Sequence, residues 1–174
     1  MEYILLPLLE RLSEGMPELM LVDEDYGQLE VVDEEGKEMY PITYPAVLLD
    51  LEQVDWEGVQ GRSQYGTARL KARLVIDCYD DTHMGSGTSE RIRERAELRE
   101  RMHELLQGFK ATEEASALMR IESKFYTGNH GIKVYQETYT CRVVELLTRQ
   151  RAALPSRPKI SLSVSSVVES QRTP

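Results

Sequence analysis

The sequence predicts an α+β fold: a mostly antiparallel mixed sheet of about four to five strands, with two helices packed on one face. Three observations predict it. Ala68–Cys78 alternates apolar and charged residues, as a strand with one face on a core does. Two segments, near residues 3–12 and 90–109, carry apolar side chains at helical spacing. Two strand-like runs flank Thr127-Gly128-Asn129-His130-Gly131, whose glycines suit a hairpin turn.

In chain order, Tyr3–Leu12 reads as the first helix, with Leu5, Leu8, Leu9 and Leu12 on one stripe and Gly15 and Pro17 ending it. Pro7 fits if it lies in the first turn. Leu19–Val22 reads as a short strand, Asp23–Gly27 as a turn and Gln28–Asp33 as a weakly alternating strand. Glu34–Lys37 turns again, so residues 19–40 read as an acidic hairpin or insertion. Tyr44–Leu51 is a clearer strand. Its apolar run Ala46–Leu49 implies burial on both faces, and Pro45 sits near its start. Gln53–Gly61, polar and holding two glycines, reads as a loop.

In Ala68–Cys78, Leu70, Ala72, Leu74 and Ile76 share one face. Arg69, Lys71, Arg73 and Asp77 share the other, with Val75 the exception. Tyr79–Thr88 is a loop, and Thr88 or Ser89 is placed to cap a helix over Glu90–Phe109. Ile92, Ala96, Leu98, Met102, Leu105, Leu106 and Phe109 form its stripe, and pairs such as Glu97 with Arg101 support its wet face. Leu118–Tyr126 and Ile132–Leu147 are the strands of the hairpin. Residues 1–147 thus form one domain, and 148–174 a Ser-, Pro- and Arg-rich tail. Its Ser–Val alternation at Ser161–Val168 suits a strand added to a partner's sheet.

Composition bounds the function. With 41% hydrophobic and 29% charged residues the chain can build a core. No apolar run approaches the roughly 20 residues that span a bilayer. The start lacks the basic and apolar regions of a secretory signal, so a cytoplasmic chain is expected. Cys78 and Cys141 read as two small buried hydrophobes. Net charge is −9, and it is divided: residues 1–60 hold 16 acidic and 2 basic side chains, a balance of −14, leaving +5 for residues 61–174. An acidic front third repels phosphate backbones, so direct sequence-specific binding to nucleic acid is not expected. The same division suits head-to-tail contacts between copies; solvated surface charge is the plainer reading.

Chemistry-bearing clusters are sparse. Asp77, Asp80, Asp81 and His83 could bind a divalent metal, as in a metal-dependent hydrolase, but they equally make a polar loop with acidic turn residues, and no second ligand cluster accompanies them. His103 reads as a helix residue and His130 as a turn residue. Gly85-Ser86-Gly87-Thr88-Ser89 precedes a helix as phosphate cradles do, without their lysine or glycine pattern. No catalytic, cofactor-binding or metal residue is assigned, and the chain is expected not to be an enzyme.

The order of elements resembles the tail terminator, or tail-completion, proteins of long-tailed bacteriophages and prophages. The residues carrying it are Tyr44–Leu49, Leu70–Asp80, Glu90–Phe109 and Tyr135-Gln136-Glu137-Thr138-Tyr139-Thr140-Cys141-Arg142-Val143, within residues 1–147. The acidic stretch Asp23–Tyr40 and the tail after Ala153 have no counterpart in that pattern. The resemblance implies a structural protein that forms a homo-oligomeric ring, usually a hexamer. Such a ring terminates the tail tube and meets the tail tube protein on one side and a head-completion or neck protein on the other. It further implies a place at the tail–neck region of the virion, after assembly in the bacterial host cytoplasm. A head–tail adaptor, or head-closure neck protein, is the neighbouring alternative. Within this reading Arg69, Lys71 and Arg73 are the expected subunit interface, meeting a neighbour's acidic front.

Overall fold

The computed structural model describes residues 2–30, 42–60, 63–79, 81–128 and 131–146. A 3-10 turn at Glu2–Ile4 leads into α1 (Leu5–Gly15). Then come β1 (Leu21–Glu24), β2 (Ala46–Gln60), β3 (Ser63–Asp77), α2 (Arg91–Leu106), β4 (Met119–Thr127) and β5 (Ile132–Leu146). The strands form one sheet in the order β1-β2-β3-β5-β4. Only β1 and β2 run parallel; the other pairs are antiparallel. The predicted α+β class, with a mixed, mostly antiparallel sheet and two helices, is therefore the observed one.

Both helices pack into a single core with one face of the sheet. Leu5, Leu8 and Leu12 of α1 and Met102 and Leu106 of α2 bury against Val47, Leu49, Leu70, Ala72, Leu74 and Tyr139. Each fully buried aliphatic side chain contributes about 1.5–3 kcal/mol. Gly15 lets the helices approach, because a Cβ there would lie 2.6 Å from Leu105 Cδ1. Arg11 joins them further: its Nε donates to the Leu105 carbonyl at 2.6 Å, in the last turn of α2 where carbonyls lack helical partners. Its guanidinium also lies 4.4 Å from the Phe109 ring centre.

The opposite face carries a second, smaller cluster of Ile42, Ala46, Leu48, Val75, Ile132 and Val134. This explains Val75, the break in the alternation of β3: at that end the sheet is buried on both sides.

Several sequence-based expectations are corrected. Gln53–Gly61 is not a loop, because β2 continues to Gln60 and pairs with β3 down to Gln60↔Ser63. Irregular register between Leu51 and Gln53, and between Trp56 and Gly58, disrupts the apolar alternation there. Residues 28–30 form a turn rather than the start of a strand, with Glu30 N–H donating to the Gly27 carbonyl at 3.0 Å. Neither Thr88 nor Ser89 caps α2, which lacks a side-chain cap; the Thr88 hydroxyl donates to the Asp81 carbonyl instead. The helix stops at Leu106, and Ile92 and Ala96 of the expected stripe are exposed. Arg101 pairs with Glu18, at 3.4 Å, rather than with Glu97. The expected acidic hairpin beyond Glu30, the hairpin-tip residue His130 and the tail from residue 148 lie outside the described residues.

Candidate subunit interface

Arg69, Lys71 and Arg73 do share the face of β3 opposite the helices, but the fold uses them differently. Arg73 is buried, and its guanidinium binds Asp25 and Glu30 of its own chain. The turn at residues 25–30 after β1 brings both carboxylates over β3. That turn is built by local bonds: Gly27 has φ +91°, Gly27 N–H donates to Asp25 Oδ1 at 3.1 Å, and Gln28 Nε2 donates to the Glu24 carbonyl at 2.7 Å. Burial pulls the Arg73 pKa down, but hydrogen bonds to Glu30, Asp25 and Tyr126 outweigh it, so the net shift is upward and the cation is fixed. The same guanidinium holds the Glu30 carboxyl below its ordinary value. The acidic front thus neutralises this cation within one chain. Lys71 is half-buried and reaches Glu52 of β2 at 3.3 Å. Arg69 is exposed, and no described residue pairs with it.

An open surface lies beside Arg69, across from Gln53 of β2. From Glu52 to Gly58 every residue of β2 except Val54 is exposed, although side chains there alternate between the two faces. Beyond Leu49 no described strand pairs with the outer edge of β2, since β1 covers only Ala46–Leu49. Trp56, the chain's single tryptophan, stands directly across from Gly66 and is 38% exposed. A Cβ at Gly66 would come within 2.8 Å of Trp56 Cε3, so the glycine is the seat on which the indole rests. Tyr65 beside it is 40% exposed. This β2–β3 tip, flanked by Val143 and Val144 of β5, has a shallow hollow lined by Glu57, Tyr65, Gly66 and Arg142.

A second feature is a polar knot on the helical side. Glu137 of β5 is fully buried. Arg120 donates to it at 3.2 Å, Ser123 donates to the same oxygen, and Arg99 lies 3.8 Å from the other. Next along the strand, the Tyr139 hydroxyl lies 3.0 Å from His103 Nδ1. Burial, and then the Glu137 charge, push the Tyr139 phenol upward; burial and then Arg120 push His103 downward. Both rings therefore stay neutral near pH 7, and the knot ties α2 and β4 to β5. The signal was the run Tyr135, Glu137, Tyr139, Cys141, Val143, which puts Glu137 on an apolar face.

The loop cluster behaves differently. His83 Nδ1 lies 2.6 Å from Asp81, but both side chains are well exposed. Asp77 is exposed at the end of β3, and Asp80 lies outside the described residues. Among the described residues no group of three acidic, histidine or cysteine side chains could hold a metal. Gly85 has φ +90°, and Ser86 N–H closes a turn onto the His83 carbonyl at 2.9 Å. Cys78 is half-buried and Cys141 buried, and both are free thiols. No described helix is long and apolar enough to cross a membrane.

The fold and its open sheet tip describe an α+β domain with a surface fit for association. No protein-family model matches the chain, and comparison with curated proteins gives no match either.

Proposed function

We propose that this chain is a structural protein of a phage or prophage that forms a ring, terminates the tail tube and joins it to the head. The observation that carries the reading is the uncovered tip of β2 and β3. A domain that worked alone would have little use for a strand edge exposed over Glu52–Gly58 beside an exposed tryptophan and tyrosine. A ring consumes such an edge, because each subunit offers one surface and receives a different one. The order of elements, which resembles the tail terminator proteins, supports the same reading, as does the division of charge between the first 60 residues and the rest. The proposed partners are further copies of the chain, the tail tube protein and a neck protein.

Negative-stain imaging of the full chain, alone and with tail tubes, tests the reading. Rings, free or seated on tube ends, are expected. Their absence in both samples at high protein concentration would sink it. Capture by the portal side, with none by the tail tube, would instead identify a head–tail adaptor.

A further inference from the structure

From the open edge of β2 and the charge of the chain's C-terminal segment, we infer that Ile160–Val168 of a neighbouring copy adds to β2 as a strand alongside Asp50–Gln60. The segment alternates as an edge strand does, and the link that delivers it is basic where the β2 edge is acidic. Ile160, Leu162 and Val164 alternate with Ser161, Ser163 and Ser165, the pattern of a strand with one apolar face. The nine residues 160–168 fit within the eleven-residue stretch Asp50–Gln60, whose outer edge no described strand pairs. β2 carries Asp50, Glu52, Asp55 and Glu57 and no cation. The link at 147–159 carries Arg149, Arg151, Arg157 and Lys159 and no acid. The edge of β4, where Arg120 and Lys124 flank the single acid Glu122, is the poorer receiver for a segment delivered by so basic a link.

The donor is a neighbouring copy rather than the same one. β5 pairs with β3 up to Ser63↔Leu146, two strands away from the open edge. A link at about 3.3 Å per residue would span that gap. On the face opposite the helices, however, it would lay four cations over the exposed Arg69 and Arg142, while the helical layer stands on the other face. A neighbour's segment reaches the acidic edge without its link crossing that face. The inference is independent of the tail reading, because a ring closed by side-chain contacts alone would satisfy that reading and fail this test.

The test uses the full chain carrying L162P and V164P, which takes two backbone donors from the segment and leaves residues 1–146 unaltered. A synthetic peptide of residues 157–170 is titrated in, and Trp56 emission reports occupancy of the edge. A saturable blue shift is expected, weakened several-fold when Asp55 and Glu57 are both replaced by Lys. No shift and no calorimetric binding, or equal binding to the charge-reversed edge, would overturn the inference. Dilution of the unmodified chain checks the donor. Its Trp56 emission should move toward that of the proline variant as the oligomer dissociates. A blue-shifted emission that persists in monomer would refute delivery by a neighbour.

Discussion

Replacing Arg73 by Met should be among the more damaging changes available on the face opposite the helices. The Arg73 and Asp25 side chains are 8% and 5% exposed, whereas Glu30 is 58% exposed. Methionine fills the volume but leaves the Asp25 carboxylate buried without its cation; Glu30 simply rehydrates. Breaking a buried ion pair from one side costs about 3–5 kcal/mol, and the wet partner puts this site at the lower end, about 3 kcal/mol. For a domain of this size that corresponds to a fall in Tm of roughly 6–12 °C. The cost lies in the stranded charge, so Asp25→Asn added to R73M should recover at least half of the loss. Urea unfolding followed by circular dichroism measures all three proteins. An R73M loss below about 1 kcal/mol, or a double variant no better than the single, would refute the account of this cluster as a buried pair.

Glu30→Gln should show the same cluster through pH. The Glu30 carboxyl titrates below its ordinary 4.5 in the folded chain, so its contribution is fully present above that value and is lost as pH falls through the folded pKa. The stability gap between E30Q and the unmodified chain, about 0.5 kcal/mol for so exposed a group, should therefore close in acid. Gly66→Ala should push the indole of Trp56 off its seat, costing about 1–3 kcal/mol and red-shifting the tryptophan emission. Tyr139→Phe removes the bond to His103 and should cost about 0.5–1.5 kcal/mol in the same unfolding assay. If Arg69 serves the subunit contact, Arg69→Glu should abolish the salt sensitivity of the oligomer's mass measured by light scattering, leaving the monomer's melt unchanged.

What could be read in advance followed from periodicity. Leu70, Leu74 and Ile76 announced their face because the helices cover that side of β3, while Arg69, Lys71 and Arg73 alternate with them on the other. Leu5, Leu8 and Leu12 did the same for α1. The rest of β2 was illegible for the converse reason. Past Leu51 only Val54 packs against the core, so burial imposes no sustained alternation, and two register shifts blur what remains. Arg73 looked like its neighbours Arg69 and Lys71 in the pattern. What separates them is a turn 48 residues earlier in the chain that delivers Asp25, a long-range placement that no local spacing encodes. Glu137 is concealed because an acidic residue in a strand ordinarily faces solvent.

The strand order also governs when this domain can exist. β3 lies between β2 and β5, and β5 is the last of the described strands to be made. Until the ribosome has released residues 132–146, the inner edge of β3 has no partner, and the core lacks Tyr139, Cys141 and Val143. Both helices and the β2–β3 hairpin must then wait without the part of the core that β5 supplies. Folding is accordingly a late event set by distant contacts such as Leu70↔Tyr139, slow for a chain of this length and exposed to chaperones and to premature self-association while synthesis continues.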